Sequence, residues 1–286
     1  MASVLELQAA VVVGAGTMGS GIAQVAARAG LTTKLFDVAP GAAERAIAKI
    51  AEALSSAVEK SKISADERTQ TLARLSPATD LDAAVRDADL IIEAAPEDLA
   101  LKKELFARLS LVAKPNAILA SNTSSLPITE IAQAARGPER VIGLHFFNPV
   151  PVMKLLEIVR GERTDERVII AARALGARMG KEVIVVRDAP GFATSRLGIA
   201  IALEAMRMFE EGVASAEEID RAMELGYGHP MGPLKLTDTV GLDVRLAIAE
   251  HLCRELGERY RPPQVLRRMV RAGKLGKKSG EGFYKY

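Results

Sequence analysis

A histidine and a glutamate twelve residues apart have the types and spacing that acid–base chemistry needs. His145 ends an apolar run, residues 141–145, and Glu157 lies inside a second one, residues 154–159. Both runs are typical of strands, and the short turn between them would bring the two side chains together. A carboxylate beside an imidazole orients the ring and favours its charged form. The same spacing also fits a structural histidine with an unrelated glutamate, so the residues alone leave both interpretations open.

Three glycines form a second candidate site, for a phosphate-bearing ligand. Gly14, Gly16 and Gly19 follow an apolar strand-like run and directly precede a helical one, residues 20–29. In that context the first glycine permits a tight turn, the second lets backbone approach a pyrophosphate, and the third lets the helix pack closely. The helix N-terminus adds unpaired N–H groups and a positive dipole end. The turn, with Thr17 and Met18, is therefore predicted to bind a dinucleotide, with a plain glycine-rich connection as the alternative.

Asp37 predicts which dinucleotide this is. It follows the next strand-like run, residues 32–36, and lies 18 residues beyond Gly19. A carboxylate at this position accepts hydrogen bonds from ribose hydroxyls and repels a 2′-phosphate, so NAD is preferred over NADP. A solvated turn carboxylate is the alternative interpretation.

A hydroxyl-rich segment, residues 121–125 (SNTSS), follows another strand-like run and so lies at the same predicted edge of the sheet. Ser124 is a candidate ligand-binding residue there. Such clusters also cap helices, and Ser125 could cap the helix preceding Thr129.

The elements that must position these residues change character along the chain. Up to about residue 187, short apolar runs alternate with helical patterns, which predicts an α/β fold with a mostly parallel sheet covered on both faces. A helical pair, near residues 41–60 and 65–75, follows the second strand. Beyond residue 188 only helical patterns occur, at 192–211, 216–224, 232–256 and 262–272. We therefore predict a Rossmann-like domain, 1–187, and an all-helical domain, 188–286.

Composition excludes several classes of protein. Lys and Arg number 38 and Asp and Glu 36, and no basic arm or stripe suits a nucleic acid. The single cysteine, Cys253, cannot form an internal disulfide or a thiolate metal site, and no metal is predicted. The first basic residue is Arg28 and the longest apolar stretch is residues 197–202, so neither a leader nor a membrane span is expected. A cytoplasmic enzyme is the expectation.

Seven motifs together resemble a known family, the monofunctional 3-hydroxyacyl-CoA dehydrogenases, which include the 3-hydroxybutyryl-CoA dehydrogenases. The resemblance covers essentially the whole chain and is carried by residues 14–19 (GAGTMG), 121–125 (SNTSS), 143–151 (GLHFFNPVP), 154–157 (KLLE), 188–192 (DAPGF), 228–233 (GHPMGP) and 280–284 (GEGFY). It implies an NAD-binding domain followed by a helical domain that forms a homodimer contact. It also favours the acid–base interpretation of His145 and Glu157.

The resemblance assigns further roles residue by residue. It implies that His145 is the general acid/base, that Glu157 is its partner, and that Ser124 contacts both the substrate oxygen and the nicotinamide half of NAD. It implies that Lys60 pairs with a CoA phosphate. Further NAD contacts are implied for Asp37, Glu97, Lys102, Asn148 and Lys278. For Lys60, Lys102 and Lys278, the sequence alone fits a solvated surface charge equally well.

Two positions depart from the family pattern. Ala53 stands where some relatives carry a substrate-contacting serine, and Ser195 stands where the family has an active-site asparagine. The resemblance implies reversible oxidation of an (S)-3-hydroxyacyl-CoA to the 3-oxoacyl-CoA, as in fatty acid metabolism. A dehydrogenase of a free hydroxy acid and a non-catalytic NAD-binding structural protein are the alternatives.

Overall fold

The computed structural model describes residues 5–286, and the chain divides into two units between Asp188 and Ala189. The first unit alternates strands with helices around one sheet. Its strands are β1 (Ala9–Val13), β2 (Thr32–Phe36), β3 (Leu75–Ala78), β4 (Leu90–Glu93), β5 (Ile118–Ser121), β6 (Val141–Phe146), β7 (Leu155–Arg160) and β8 (Glu182–Arg187). Its α-helices are α1 (Thr17–Arg28), α2 (Ala42–Glu59), α3 (Ala65–Ala73), α4 (Leu81–Val85), α5 (Leu99–Val112), α6 (Ile128–Gln133) and α7 (Glu166–Arg178).

The strand order confirms the predicted α/β class. Along the sheet the strands lie in the order β3-β2-β1-β4-β5-β6-β7-β8, and every neighbouring pair is parallel except β6 with β7. Every residue of β4 and β6 is buried, as expected for apolar runs in a sheet with both faces covered. The order reverses between β1 and β4, and in open sheets ligands bind at the carboxyl ends of the strands beside such a reversal.

One strand of the first unit was not predicted. The helix expected up to residue 75 ends at Ala73, and Leu75 begins β3, which pairs with β2. The strand has only four residues and contains Pro77, which lacks an N–H and is tolerated because β3 is the sheet's edge strand. Its short, proline-containing sequence therefore gives no strand pattern. The short α4, whose first turn is capped by Asp80, was also missed.

The second unit is helical in its regular structure, as the sequence predicts. Its α-helices are α8 (Thr194–Glu210), α9 (Ala216–Tyr227), α10 (Pro233–Val240), α11 (Leu242–Leu256) and α12 (Gln264–Arg271). Their core contains the fully buried side chains of Ile199, Leu203 and Leu252. The single helix predicted at 232–256 is wrong, because Gly241 separates α10 from α11. Its φ of 106° lies outside the helical range and is accessible mainly to glycine.

Candidate active site

His145 and Glu157 form a buried pair on the one antiparallel strand pair among the described residues. They lie directly opposite each other in the register of β6 and β7, so their side chains project from the same face. The His145 Nδ1 atom lies 2.8 Å from Glu157 Oε2, with 7% of the histidine and none of the glutamate exposed. The ring of Phe147 packs against the imidazole, with centroids 4.4 Å apart. The predicted proximity is confirmed, and the pair can hold a proton where water has little access.

The glycine turn connects β1 to α1, as predicted. A Cβ on Gly14 would lie 2.6 Å from the carbonyl oxygen of Ala94, and one on Gly19 would lie 1.7 Å from that of Gly14, so the packing excludes larger residues. Gly16 differs, since its φ of −68° suits any residue and a Cβ there would meet no protein atom within 4 Å. The fold therefore does not require glycine at position 16. Close approach of a ligand to this backbone does explain it, and the turn fits the pyrophosphate of a dinucleotide.

Asp37 lies just after the carboxyl end of β2 and is held by backbone N–H groups. Its Oδ2 atom accepts from Ala15 N at 2.7 Å and its Oδ1 atom from Ala39 N at 2.9 Å. Because Ala15 belongs to the glycine turn, the carboxylate is fixed beside the proposed pyrophosphate position. Each oxygen keeps a second lone pair, so the group can still accept from ribose hydroxyls.

Ser124 belongs to a hydroxyl cluster that surrounds the carboxylate of Glu97. The Glu97 Oε1 atom accepts from Thr123 Oγ1 at 2.6 Å, from Ser124 N at 3.0 Å, and from the hydroxyls of Ser124 and Ser125, each at 3.3 Å. The capping alternative for Ser125 is wrong, because α6 begins after Pro127 and the Ser125 hydroxyl donates to Glu97 instead. The structure thus brings Glu97 and Ser124 together, as two of the implied cofactor contacts.

Lys102 is not the solvated surface charge that the sequence allowed. It lies in the first turns of α5 and is 1% exposed. Its ammonium lies 2.5 Å from Glu93 Oε1 and 3.6 Å from Glu97 Oε2. Glu93 was not predicted as a site residue. An acid at the end of an apolar strand was the signal that could have identified it. Asn122 was also missed; its Oδ1 atom accepts from Phe146 N at 2.9 Å and links the ends of β5 and β6.

The loop after β6 carries Asn148, which is exposed and precedes a cis proline, Pro149. The buried Lys181 holds this loop, because its Nζ atom donates to Val150 O at 2.5 Å and to Met153 O at 2.7 Å. Burial lowers the pKa of Lys181 below the ordinary lysine value. The lysine thus fixes the backbone that follows Asn148.

A cavity of about 540 Å³ lies in the first unit between this loop, the glycine turn and α2. Asn148, Gly16, Arg45, Lys49 and Ala53 contribute to its lining. Its two basic side chains were not predicted as site residues.

Lys60 is exposed at the C-terminal end of α2. Two further predicted residues belong to the second unit. Ser195 is partly buried in the first turn of α8, and Lys278 lies in a 3₁₀ turn, where its ammonium is 2.7 Å from Asp243 Oδ2.

Residues 5–286 contain neither a candidate metal site nor a candidate membrane-spanning helix. Three or more His, Cys, Asp or Glu side chains do not come together there as a possible metal site. None of the helices described is long and apolar enough to cross a membrane.

Comparison with family models covers nearly the whole chain. Residues 9–189 match the model described as 3-hydroxyacyl-CoA dehydrogenase, NAD binding domain. Residues 191–286 match the model described as 3-hydroxyacyl-CoA dehydrogenase, C-terminal domain. The two matches follow each other along the chain, in the order that the resemblance implies.

Individual proteins are similar over the same length. A probable 3-hydroxybutyryl-CoA dehydrogenase of Bacillus subtilis (strain 168) is 48% identical over 283 residues, covering 99% of this chain and 98% of that protein. A 3-hydroxybutyryl-CoA dehydrogenase of Mycobacterium tuberculosis (strain H37Rv) is 47% identical, with 96% and 97% covered. The crystal structure of (S)-3-hydroxybutyryl-CoA dehydrogenase from Ralstonia eutropha is 41% identical, with 98% and 99% covered and a TM-score of 0.95.

Proposed function

The chain belongs to the 3-hydroxyacyl-CoA dehydrogenase family and is an NAD-dependent oxidoreductase, and from this premise we propose that it interconverts (S)-3-hydroxybutyryl-CoA and acetoacetyl-CoA. The observation that carries the proposal is the buried contact of His145 with Glu157. The names of the similar proteins support a short acyl chain.

His145 is the proposed general acid/base. With Nδ1 directed at Glu157, Nε2 is the nitrogen that takes the proton of the substrate 3-hydroxyl during oxidation and returns it during reduction. Glu157 holds the ring in one orientation and stabilises the imidazolium. Bound NAD supplies the hydride acceptor. A positioned acid/base of this kind typically contributes ~10²–10⁴-fold to the rate.

The residues proposed to bind NAD lie mainly along the carboxyl edge of the sheet. The turn Gly14–Gly19, with Thr17 and Met18, offers the α1 N-terminus to the pyrophosphate, and Asp37 accepts from the adenosine ribose. Ser124 is proposed to contact both the nicotinamide half and the substrate oxygen. The remaining proposed contacts are Glu97, Lys102, Asn148 and Lys278.

The cavity in the first unit supports a place for part of the CoA chain. Arg45, Lys49, Ala53 and Lys60 occupy positions i, i+4, i+8 and i+15 of α2 and its C-cap, so they share one face. Three of these four side chains are cations, which suits the phosphates of CoA. Lys60 is the proposed phosphate partner, and alanine at 53 leaves room where a serine would add a polar contact.

We also propose how the two units divide cofactor binding, substrate binding and dimerisation. The first, through residue 187, binds NAD, and the second, from residue 188, binds substrate, with Ser195 as a positioning residue, and forms a homodimer. Exposed apolar side chains on the second unit, Leu197 at 65%, Leu225 at 73% and Tyr227 at 79%, support self-association. The single cysteine supports a cytoplasmic location.

The direct test is consumption of NADH with acetoacetyl-CoA, followed as loss of NADH absorbance. Free acetoacetate and buffer alone serve as controls. We expect turnover with the thioester and little with the free acid. Turnover of the free acid at an equal kcat/KM, or none of either, contradicts the proposed substrate.

Lys60→Ala tests the CoA contact. The variant is expected to raise KM for acetoacetyl-CoA several-fold with kcat nearly unchanged, because the phosphate lies far from the reacting carbon. Lys62→Ala, which removes another exposed lysine two residues away, is the matched control. Equal effects of the two substitutions would assign the change to general surface charge.

A further inference from the structure

The carboxylate of Glu93, to which the proposed reaction assigns no role, is the centre of a buried polar network. Glu93 is the last residue of β4 and is 0% exposed. Its Oε1 atom accepts from Ala95 N at 2.6 Å and from Lys102 Nζ at 2.5 Å, and its Oε2 atom accepts from Ser121 Oγ at 2.6 Å. One side chain therefore connects β4, β5, α5 and the loop between β4 and α5.

The network continues from Glu93 to the proposed reaction site through two charges. The Lys102 ammonium contacts Glu93 on one side and Glu97 Oε2, at 3.6 Å, on the other. Glu97 in turn accepts from the backbone N–H and the hydroxyl of Ser124. The path Glu93–Lys102–Glu97–Ser124 thus joins a residue without solvent access to one proposed to contact substrate and cofactor.

Stability alone is a poor reason for such a pair. Desolvation offsets much of the attraction between buried charges, and a packed apolar pair of similar volume is often as stable or more so. What an apolar pair lacks is direction. The carboxylate holds the Lys102 ammonium, and with it α5, at the end of β4, and through Ala95 N it fixes the start of the loop that carries Glu97.

We propose that Glu93 is a positioning residue for the cofactor contacts: it shares the Lys102 ammonium with Glu97 and so keeps the Glu97 carboxylate available to Ser124. The assignment rests on the proposed function, which places Lys102, Glu97 and Ser124 against NAD. Glu93 itself acts through these residues.

Glu93→Gln tests the assignment with a small change of shape. The amide oxygen can still accept from Ala95 N and Lys102, and its NH₂ group can donate to the Ser121 hydroxyl, so mainly the charge is lost. The ammonium then has Glu97 as its remaining carboxylate partner among the contacts described. Attraction of Glu97 toward Lys102 weakens its hold on Ser124.

The measurements are the NADH dissociation constant, by fluorescence titration, and kcat with acetoacetyl-CoA at saturating NADH. Glu93→Gln is expected to weaken NADH binding about 10-fold and to lower kcat as well, a size typical of coupled contacting residues. Glu130→Gln is the matched control, because it removes the same charge from an exposed ion pair. Glu130 Oε1 lies 3.1 Å from the Nζ atom of Lys103, which lies next to Lys102 on α5. The control is expected to keep wild-type values.

A double variant separates positioning from folding. If Glu93 acts through Lys102, Glu93→Gln adds little to the loss of NADH affinity already caused by Lys102→Met, so the two effects are not additive. Additive effects, or wild-type NADH affinity and kcat in Glu93→Gln with only a lowered Tm, would overturn the proposal.

Should Glu93→Gln not fold, Ser121→Ala removes one hydrogen bond and keeps the charge. It is expected to weaken NADH binding about threefold, the equivalent of one modest hydrogen bond. A folded Ser121→Ala protein with unchanged NADH affinity would then count against the proposal. If wild-type protein binds NADH but does not reduce acetoacetyl-CoA, the proposed substrate fails while the NADH titrations still test Glu93.

Discussion

Two strands of the same sheet each carry a fully buried carboxylate, and the two carboxylates differ in what they hold. Glu157 on β7 faces an imidazole on the adjacent antiparallel strand, whereas Glu93 at the end of β4 faces an ammonium on a helix. An imidazole exchanges a proton near neutral pH, while a lysine ammonium ordinarily stays charged there. The first arrangement suits proton transfer and the second suits fixed geometry, although burial and distance are nearly the same.

The largest expected effect is on kcat, and it comes from substituting the histidine of the His145–Glu157 pair. His145→Gln removes the proton-exchanging group, so kcat should fall ~10²–10⁴-fold, while NADH affinity should change little. Steady-state kinetics with acetoacetyl-CoA and fluorescence titration with NADH measure the two quantities. Glu93→Gln, in contrast, is expected to weaken NADH binding clearly. Near-native turnover in the His145 variant would show that His145 is not the general acid/base.

A third carboxylate, Asp37, lies at the carboxyl edge of the same sheet and is proposed to contact the cofactor directly. Asp37 is held by two backbone N–H groups, from Ala15 and Ala39. Asp37→Asn should lower the KM for NADPH about 10-fold, the factor that ~1.4 kcal/mol of lost like-charge repulsion represents. The kcat/KM ratio for NADH over NADPH is the measurement. A wild-type enzyme that already uses both equally would refute the role of Asp37.

The comparison also explains how much could be read from the sequence. For His145 and Glu157, the residues alone left the pairing open and the family resemblance favoured it, because a turn between two apolar runs permits an antiparallel pair without fixing its register. The structure places the two residues directly opposite each other in β6 and β7. The pairing of Lys102 with Glu93 was missed although the residues are only nine apart. A lysine in a helix is usually solvated, and its burial depends on how α5 packs against the sheet, which no local pattern states.

Local sequence patterns were limited in the same way for the strands and helices, because they do not state how an element pairs or packs. Apolar runs predicted β1, β4 and β6 because the sheet buries them on both faces. The edge strand β3 has four residues, LSPA, of which only Leu75 is buried, so pairing with β2 rather than its own sequence makes it a strand. Gly241 was read as part of a helix, since a single glycine is tolerated in helices until its φ is known.

Ser195, in the first turn of α8, tests a carried-over role that is independent of both carboxylates. The family pattern has asparagine there, whose amide both donates and accepts over a longer reach than a hydroxyl. Ser195→Asn is expected to raise kcat with acetoacetyl-CoA about threefold, the effect of one added hydrogen bond worth ~0.6 kcal/mol. A fall in kcat, with better activity of the serine form on longer or branched acyl-CoA, would indicate altered substrate preference. No change would place Ser195 outside the reaction.

The smallest expected effect on activity lies at the opposite end of β4. Asp89 directly precedes the strand that Glu93 ends; it accepts from Gln8 N and Ala9 N, each at 3.0 Å, and its carboxylate lies 3.0 Å from Lys114 Nζ. Burial raises its pKa, but these N–H groups and the ammonium outweigh burial and hold the pKa below the ordinary aspartate value. A carboxylate with a lowered folded-state pKa stabilises the fold above its unfolded pKa, near 3.9, and loses that contribution as pH falls through the folded value.

Asp89→Asn should therefore cost about 1–2 kcal/mol of unfolding free energy at pH 7, the range for charge-assisted hydrogen bonds at a partly exposed group. The difference between wild type and variant should stay constant from pH 7 to about 5 and shrink below about 4. Urea unfolding at each pH measures it, with kcat and NADH affinity at pH 7 as the companion readout. Kinetic constants should be unchanged, because Asp89 lies at the end of β4 away from the proposed NAD contacts. A kinetic loss as large as that of Glu93→Gln would mean that the two ends of β4 are coupled, and that the Glu93 effect is a general property of the strand.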